Sequence, residues 1–330
     1  MEETKTRQKN HIGLVGLGYW GKNLLRNFHE LDLLHTACDF DNELVEERMK
    51  AFPEVNFSHS FDEILENDEI TAIAFATPAS THYEYVKKAL LAGKDVFVEK
   101  PLALNVPDGE ELVKLAEDEG RILMVGHILQ YHSAVLKLKA LLDEGRLGKI
   151  QYIYSNRLNM GKLRTEENIL WSFAPHDISV ILMLVGEEPL KIFSHGGDYV
   201  TNGIHDTTMT TMEFPGGVKG HIFVSWLHPF KEQKLVVVGS EAMAVFDDVH
   251  DEKLWIYDHK VDLNEQKVPV VQKADKIPVA IANSEPLKEE LLHFSESIKN
   301  RTKPRTDGME GLQVLKVLEA AEKQIHNEHR

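Results

Sequence analysis

The chain has 330 residues, enough for two domains of ordinary size. Hydrophobic residues make up 42% and charged residues 27%, a globular composition, and a formal net charge of −16 excludes nucleic acid as a partner because phosphate binding needs a basic face. The single cysteine, Cys38, excludes an intrachain disulfide and a thiolate metal cluster.

Cys38 lies in an apolar strand pattern and reads as a small buried hydrophobe. The polar stretch from Met1 to Asn10 has no apolar signal-peptide core. The longest apolar stretch, near residues 70–76, is far short of a membrane span, so no membrane association and a cytoplasmic location are expected.

In chain order, residues 12–15 read as a buried strand and 21–29 as a helix. A second strand is expected at 35–39. Ser60 and Glu63 form a capping box that opens a short helix, and 71–76 is apolar enough for a central strand. Thr81 and Glu84 repeat the capping-box signature, and Gly93 closes that helix as its C-cap. A strand at 95–99, a helix over 107–119 and a strand at 122–125 follow. This strand-helix alternation implies a parallel sheet with helices on both faces.

Past a boundary near Gly126 the pattern changes. After a helix over 133–144 come runs with period-two character at 150–155, 192–195, 207–214, 218–226, 234–238, 242–246 and 253–257. Pro215-Gly216-Gly217 marks an antiparallel hairpin. Two last helices are expected over 286–299 and 309–325. The expected class is α/β: an NAD-binding Rossmann domain over residues 1–126, then an α+β domain over 127–330. The second domain carries a large, mainly antiparallel open sheet for substrate binding and oligomerisation.

Gly16-Leu17-Gly18-Tyr19-Trp20-Gly21 follows the first strand and opens a helix. The first glycine permits the tight turn, the second lets backbone approach a pyrophosphate, and the third allows close helix–strand packing. The helix N-terminus then faces the phosphates, with Tyr19 and Trp20 beside them. Asp39 ends the second strand, placed to accept hydrogen bonds from ribose hydroxyls and to repel a 2′-phosphate. Phe40, Asp41 and Asn42 follow with no arginine, which favours NAD over NADP.

Ala76-Thr77-Pro78 ends the strand at 71–76, with His82 opening the next helix, and Glu99-Lys100-Pro101 ends the strand after it. Ligands gather at the carboxyl ends of such strands, so Thr77, Pro78, His82, Glu99 and Lys100 join the expected cofactor site. Pro101 restricts the Lys100 backbone and admits a cis bond.

These segments, with Gly93-Lys94-Asp95-Val96-Phe97-Val98-Glu99-Lys100-Pro101-Leu102 and Val125-Gly126-His127, resemble the glucose-fructose oxidoreductase, inositol dehydrogenase and rhizopine-catabolism (Gfo/Idh/MocA) family across most of the chain. The resemblance implies a lysine that polarises the reacting oxygen, matched by Lys100, and a second catalytic group, matched by His176. Pro175 suits the first position of a helix. His176 would then lie in the first turn, where the dipole disfavours imidazolium and leaves a neutral ring to accept the alcohol proton. Ser172 and Ser179 stand where many members have aspartates, a departure that argues against a common polyol dehydrogenase.

Residues 156–168 gather Arg157, Lys162 and Arg164 in an acidic chain, a pattern suited to an anionic substrate. Joined to Ala174-Pro175-His176-Asp177, this stretch is similar to the UDP-N-acetylglucosaminuronic acid 3-dehydrogenase subgroup of surface-polysaccharide biosynthesis. The resemblance implies an anionic sugar or nucleotide sugar as partner, with Arg157, Arg164, Asn168 and His176 as contacts. Sugar 3-ketoreduction, inositol or sugar oxidation, and a non-catalytic NAD-sensing regulator are the alternatives. No metal site is expected. His127 and His132, five apart, read as structural or as lining the crevice. An uncovered sheet face in the second domain predicts a homodimer or homotetramer.

Overall fold

The structure, a computed structural model, describes residues 11–161 and 163–327. The expectation for Met1–Asn10 falls outside them. Contacts divide the chain into two compact units. The first is Met1–His127 with Glu285–Leu315, and the second is Ile128–Ser284 with Lys316–Arg330.

The first unit runs β1 (Ile12–Val15), α1 (Gly21–Glu30), β2 (Leu34–Cys38), α2 (Asn42–Ala51), β3 (Asn56–Ser58), α3 (Phe61–Glu66), β4 (Ala72–Phe75), α4 (His82–Leu91), β5 (Asp95–Glu99), α5 (Val106–Asp118) and β6 (Leu123–Gly126). All six strands are parallel, in the order β3-β2-β1-β4-β5-β6. Strand order reverses between β1 and β4, and in such a sheet the crevice outside the carboxyl ends at that point receives ligands. The central strands are buried on both faces, which accounts for their continuous apolar runs. Cys38 is buried among them, and burial pushes its thiol up to about 12, so it packs as a hydrophobe.

Helix starts follow their caps. Asp41 accepts from the Glu43 and Leu44 amides to open α2, for which no element was expected. Ser60 accepts from the Glu63 amide as its capping box requires, but the Glu63 carboxylate turns to the Ser58 hydroxyl instead of closing the box. Thr81 is not a cap at all. Its hydroxyl bonds the Thr77 hydroxyl and the Pro78 carbonyl, each at 2.8 Å, because a short 3-10 turn precedes α4 and holds Thr81 in a helical conformation. Gly93 does close α4, with a φ of 73° that a side chain would resist.

The second unit runs α6 (Ser133–Asp143), β7 (Ile150–Leu158), α7 (Ile169–Val185), β8 (Lys191–Gly197), β9 (Thr207–Glu213), β10 (Lys219–Ser225), β11 (Glu232–Gly239), β12 (Met243–Asp247), β13 (Leu254–Tyr257), β14 (Lys260–Leu263), β15 (Pro269–Gln272) and β16 (Lys276–Pro278). Eight strands form one mixed sheet, β16-β13-β12-β11-β7-β10-β9-β8, antiparallel except for the β7–β10 pair. Pro215-Gly216-Gly217 joins β9 to β10 as the antiparallel hairpin expected, with Gly216 at a φ of 72°.

Helices α8 (Pro286–Asn300) and α9 (Gly308–Asn327) end the chain. Assigning all of 127–330 to the second domain is corrected here, since Glu285–Leu315 belongs to the first unit. The cause is apolar burial. Phe294 of α8 meets Phe97 of β5 at 5.7 Å between ring centroids, and Leu312 of α9 joins the cluster of Leu102, Leu112, Val113, Leu123 and Val125. Each such buried side chain contributes about 1.5–3 kcal/mol.

Candidate functional site

Three loops at the carboxyl ends of β1, β4 and β5 are built against one another within the first unit. The Gly16 amide donates to the Cys38 carbonyl at 2.8 Å, and the Ala76 amide donates to the Val15 carbonyl at 2.8 Å. Gly16 has a φ of 99°, and a Cβ there would meet the Ala76 carbonyl at 2.6 Å. A Cβ on Gly21 would run into the Gly16 carbonyl oxygen. Gly18 is different, with open space where its Cβ would be. The turn is therefore closed on its protein side and open at its middle glycine, the arrangement that backbone approach to a pyrophosphate requires. These residues fit a dinucleotide. Tyr19 and Trp20 flank the opening, Tyr19 being 83% exposed.

Asp39 is tied to the same turn. Its Oδ2 accepts from the Leu17 amide at 2.6 Å and its Oδ1 from the Asp41 amide at 3.0 Å. Arg48 of α2 holds the next peptide of the turn, donating from Nε and Nη2 to the Leu17 carbonyl at 3.4 and 3.3 Å. Arg48 was not foreseen, because α2 was not. An arginine nine residues past Asp39 was the available signal.

The Lys100–Pro101 peptide is cis. His82 is 1% exposed, with Nδ1 at 2.7 Å from the Pro101 carbonyl and Nε2 at 3.0 Å from the Thr77 carbonyl. Burial lowers its pKa, opposed by the two carbonyls and helped by Lys100. The expectation that His82 touches the cofactor is corrected. A ring with both nitrogens against protein carbonyls staples the Thr77-Pro78 loop to the Lys100-Pro101 loop and presents nothing to a ligand.

The Glu99 carboxylate accepts from Trp20 Nε1 and rests on Gly126, where a Cβ would come within 2.8 Å of it. Burial pushes this carboxyl up to about 7, against the pull of Trp20 and Lys100. Behind it lie Glu290 of α8 and Glu310 of α9, the latter 2.6 Å from His127 Nδ1. The sequence did signal Glu290, an acid on the apolar stripe of Leu287, Leu291, Phe294 and Ile298. His132 caps α6 by accepting from the Ala134 amide at 3.1 Å. Among the described residues no cluster of three metal-ligating side chains occurs.

In the second unit, Asn168 caps α7 by accepting from the Trp171 amide at 3.3 Å. Its amide also donates to both Glu322 carboxylate oxygens at 3.0 Å. It is 8% exposed, and its expected substrate contact is corrected to a structural one. The same cap corrects the helix start. Pro175 lies inside α7, and His176 sits about two turns in, beyond reach of the N-terminal dipole.

Arg157 of β7 is likewise committed within the protein. It makes two hydrogen bonds to Asp177, which also accepts from the Ser155 hydroxyl. Burial works against the Arg157 charge, but Asp177 outweighs it and holds the guanidinium pKa above its ordinary value. Its side chain is 11% exposed, so an open anion contact is replaced by an internal ion pair. Arg164 stays outside, paired with Glu167 at 3.1 Å and 48% exposed. Lys162 falls outside the described residues. Ser179 is buried and accepts from the Gln130 amide at 2.8 Å, and Ser172 is buried too.

Comparison with known proteins extends this geometry. Residues 10–127 match GFO_IDH_MocA, an oxidoreductase family with an NAD-binding Rossmann fold, and residues 135–245 match the GFO/IDH/MocA C-terminal domain. UDP-N-acetylglucosamine 3-dehydrogenase of Acidithiobacillus ferrooxidans is 25% identical over 309 residues, covering 92% of this chain and 93% of its own length. The scyllo-inositol 2-dehydrogenase (NAD(+)) of Bacillus subtilis is 25% identical over 328 residues, covering 96% and 93%. The solved structure of the Acidithiobacillus enzyme shares the fold, with a TM-score of 0.84 at 22% identity over 96% of this chain and 97% of that one.

Proposed function

Because this chain belongs to the Gfo/Idh/MocA family of NAD-binding oxidoreductases, we propose that it oxidises the C3 hydroxyl of a UDP-linked 2-acetamido sugar. The N-acetylhexosaminuronate form is the candidate of first choice, as a precursor of a surface polysaccharide. The observation that carries the reading is the loop set around Lys100. Its backbone is fixed next to an open glycine turn by β5 and by the His82 staple. Likeness over nearly its whole length to a UDP-sugar 3-dehydrogenase supports the substrate class.

Gly16, Gly18 and Asp39 would hold the dinucleotide, with Thr77, Pro78, Tyr19, Trp20 and Glu99 bordering it. Bound NAD supplies the hydride acceptor. Lys100 Nζ donates a hydrogen bond to the reacting oxygen, so that negative charge developing there is stabilised. His176 accepts the hydroxyl proton, and Arg164 contributes positive charge toward the anionic part of the substrate.

Inositol oxidation is the second reading, favoured by the Bacillus relative. Ser172 and Ser179 oppose it, because neither supplies the carboxylate that many polyol-oxidising members carry there. The test is incubation with NAD and a panel of UDP-sugars and inositols, following NADH absorbance with a carbonyl trap to draw off the ketone. NADH formation with a UDP-2-acetamido sugar supports the proposal, and turnover of inositols alone overturns it.

Assembly through the open face of the eight-stranded sheet belongs to the same proposal. Phe193 and Met209 are exposed on strands β8 and β9, as befits an interface. Light scattering on the purified protein would read a dimer or tetramer.

A further inference from the structure

Glu290 is the most anomalous side chain of the first unit. It is 1% exposed, and both of its carboxylate oxygens are buried without a hydrogen-bond partner. A lone ionised carboxylate in such a place costs far more than a neutral one. The groups facing it make ionisation worse. Glu99 approaches from the end of β5 and Glu310 from the first turns of α9, and both repel a charge on Glu290. On the far side, Glu310 is engaged by His127 at 2.6 Å. Lys100 acts on Glu99, whose carboxylate also takes the Trp20 hydrogen bond. The surrounding surface of α8 is apolar, with Leu287, Leu291 and Phe294 buried beside Glu290.

Glu99 and Glu310 both act against a charge on the buried Glu290, so the three carboxyl groups do not ionise independently. Glu310 has a histidine, and Glu99 has an indole N–H and a neighbouring ammonium. Glu290 has no such partner. We propose that Glu290 is a positioning residue for the Glu99–Lys100 turn: it remains a neutral carboxylic acid behind that turn, so that Glu99 alone carries, gains and loses the negative charge beside Lys100.

The functional consequence rests on the dehydrogenase reading above. The charge on Glu99 sets the field at Lys100 Nζ, the group assigned to the reacting oxygen. With Glu290 neutral, Glu99 ionises near neutrality and stabilises the lysine ammonium. Once Glu290 also ionises as pH rises further, the two carboxylates repel and the turn is disturbed. Burial and the neighbouring Glu99 and Glu310 charges hold the Glu290 pKa well above the carboxylate range, in keeping with this order of events.

The test is a carboxyl-carbon NMR titration of the ligand-free protein, with Glu290→Gln and Glu99→Gln variants. Wild type should show two glutamate carboxyls titrating above the ordinary carboxylate range, and Glu290→Gln should remove the higher of the two. Glu99→Gln should lower the Glu290 midpoint by roughly one pH unit, because a like charge has been removed. In activity, the acid limb of kcat/KM should survive in Glu290→Gln while the alkaline decline disappears. A purely structural side chain would move neither limb. Glu290 titrating in the ordinary range near pH 4, about where an exposed glutamate does, overturns the proposal. So does a Glu290 midpoint indifferent to Glu99→Gln. Should Glu290→Gln fail to fold, the Glu99→Gln titration still decides. The titration uses no substrate, so failure of the substrate assignment leaves it readable.

Discussion

Arg157 on β7 holds Asp177 on α7 at two points, Nε to Oδ2 at 2.7 Å and Nη2 to Oδ1 at 3.2 Å, and Asp177 is the residue after His176. The pair fixes the rotation of the helix that carries the proposed base. Arg157→Met leaves Asp177 buried and unpaired, which should lower stability by about 3–5 kcal/mol in urea unfolding. Arg157→Lys keeps the charge but loses the two-point geometry and should fall between. A direct substrate contact would instead raise KM and leave unfolding unchanged, an outcome that returns Arg157 to the substrate.

The glycine turn separates folding from binding. Gly16→Ala combines a positive φ with a contact to the Ala76 carbonyl and should cost several kcal/mol or prevent folding. Gly18→Ala meets no neighbouring atom, so its Tm should match wild type. Its NADH affinity, measured by fluorescence titration, should nevertheless fall at least about tenfold, because the added methyl stands where phosphate must approach. Unchanged affinity in Gly18→Ala would remove the turn from the cofactor site.

His82→Phe fills the same buried space while removing the ring from the Thr77 and Pro101 carbonyls. A neutral ring has one N–H, so one buried acceptor loses its donor and stability should drop by about 1–3 kcal/mol. NAD affinity should weaken as the Thr77 and Pro101 loops loosen. A variant with normal NADH binding and normal Tm contradicts the staple.

Glu99 gives a pH signature of defined sign. Its folded-state pKa of about 7 lies above the ordinary value, so the folded protein retains a proton that the unfolded chain releases. The Glu99 contribution to wild-type stability should therefore decline as pH rises from the ordinary carboxylate range toward 7 and then level off, while the proton retained by Glu290 carries the overall decline further. Glu99→Gln has no such proton to retain. The variant should gain on wild type between pH 5 and 8 when urea midpoints are compared, and a constant difference across that range would show that the carboxyl titrates normally.

Lys100→Ala and His176→Asn test the chemistry itself. Each should lower kcat by about 10²–10⁴ with NADH binding retained, the range for a positioned acid–base or charge-stabilising group. Near-normal turnover in both would dismiss the assignment.

The legible parts of the molecule were those whose meaning is local. The glycine turn, Asp39 and Glu99-Lys100-Pro101 each sit at a strand end that the apolar runs mark plainly. Pro215-Gly216-Gly217 likewise announces its own hairpin. Misreadings arose where a side chain's partner lies far along the chain. Arg157 looked like an open anion contact because Asp177, 20 residues on, belongs to another element. Asn168 looked like a sugar contact because Glu322, 154 residues away, is invisible from its neighbourhood. His82 was misplaced for the same reason, with Pro101 as its distant acceptor. Pro175 alone suggests a helix start, but Asn168 caps α7 earlier and the proline lies inside the helix.

The return of Glu285–Leu315 to the first unit bears on how the protein is made. A ribosome that has finished β6 has delivered every strand of the nucleotide-binding sheet, yet Phe294 and Leu312 are still more than 150 codons away. Until they emerge, the surfaces they cover on Phe97, Leu102 and Leu123 stay bare. The dinucleotide half therefore completes its core only when nearly all of the chain has been synthesised, and a gene fragment cut at the apparent domain boundary would encode an unfinished one.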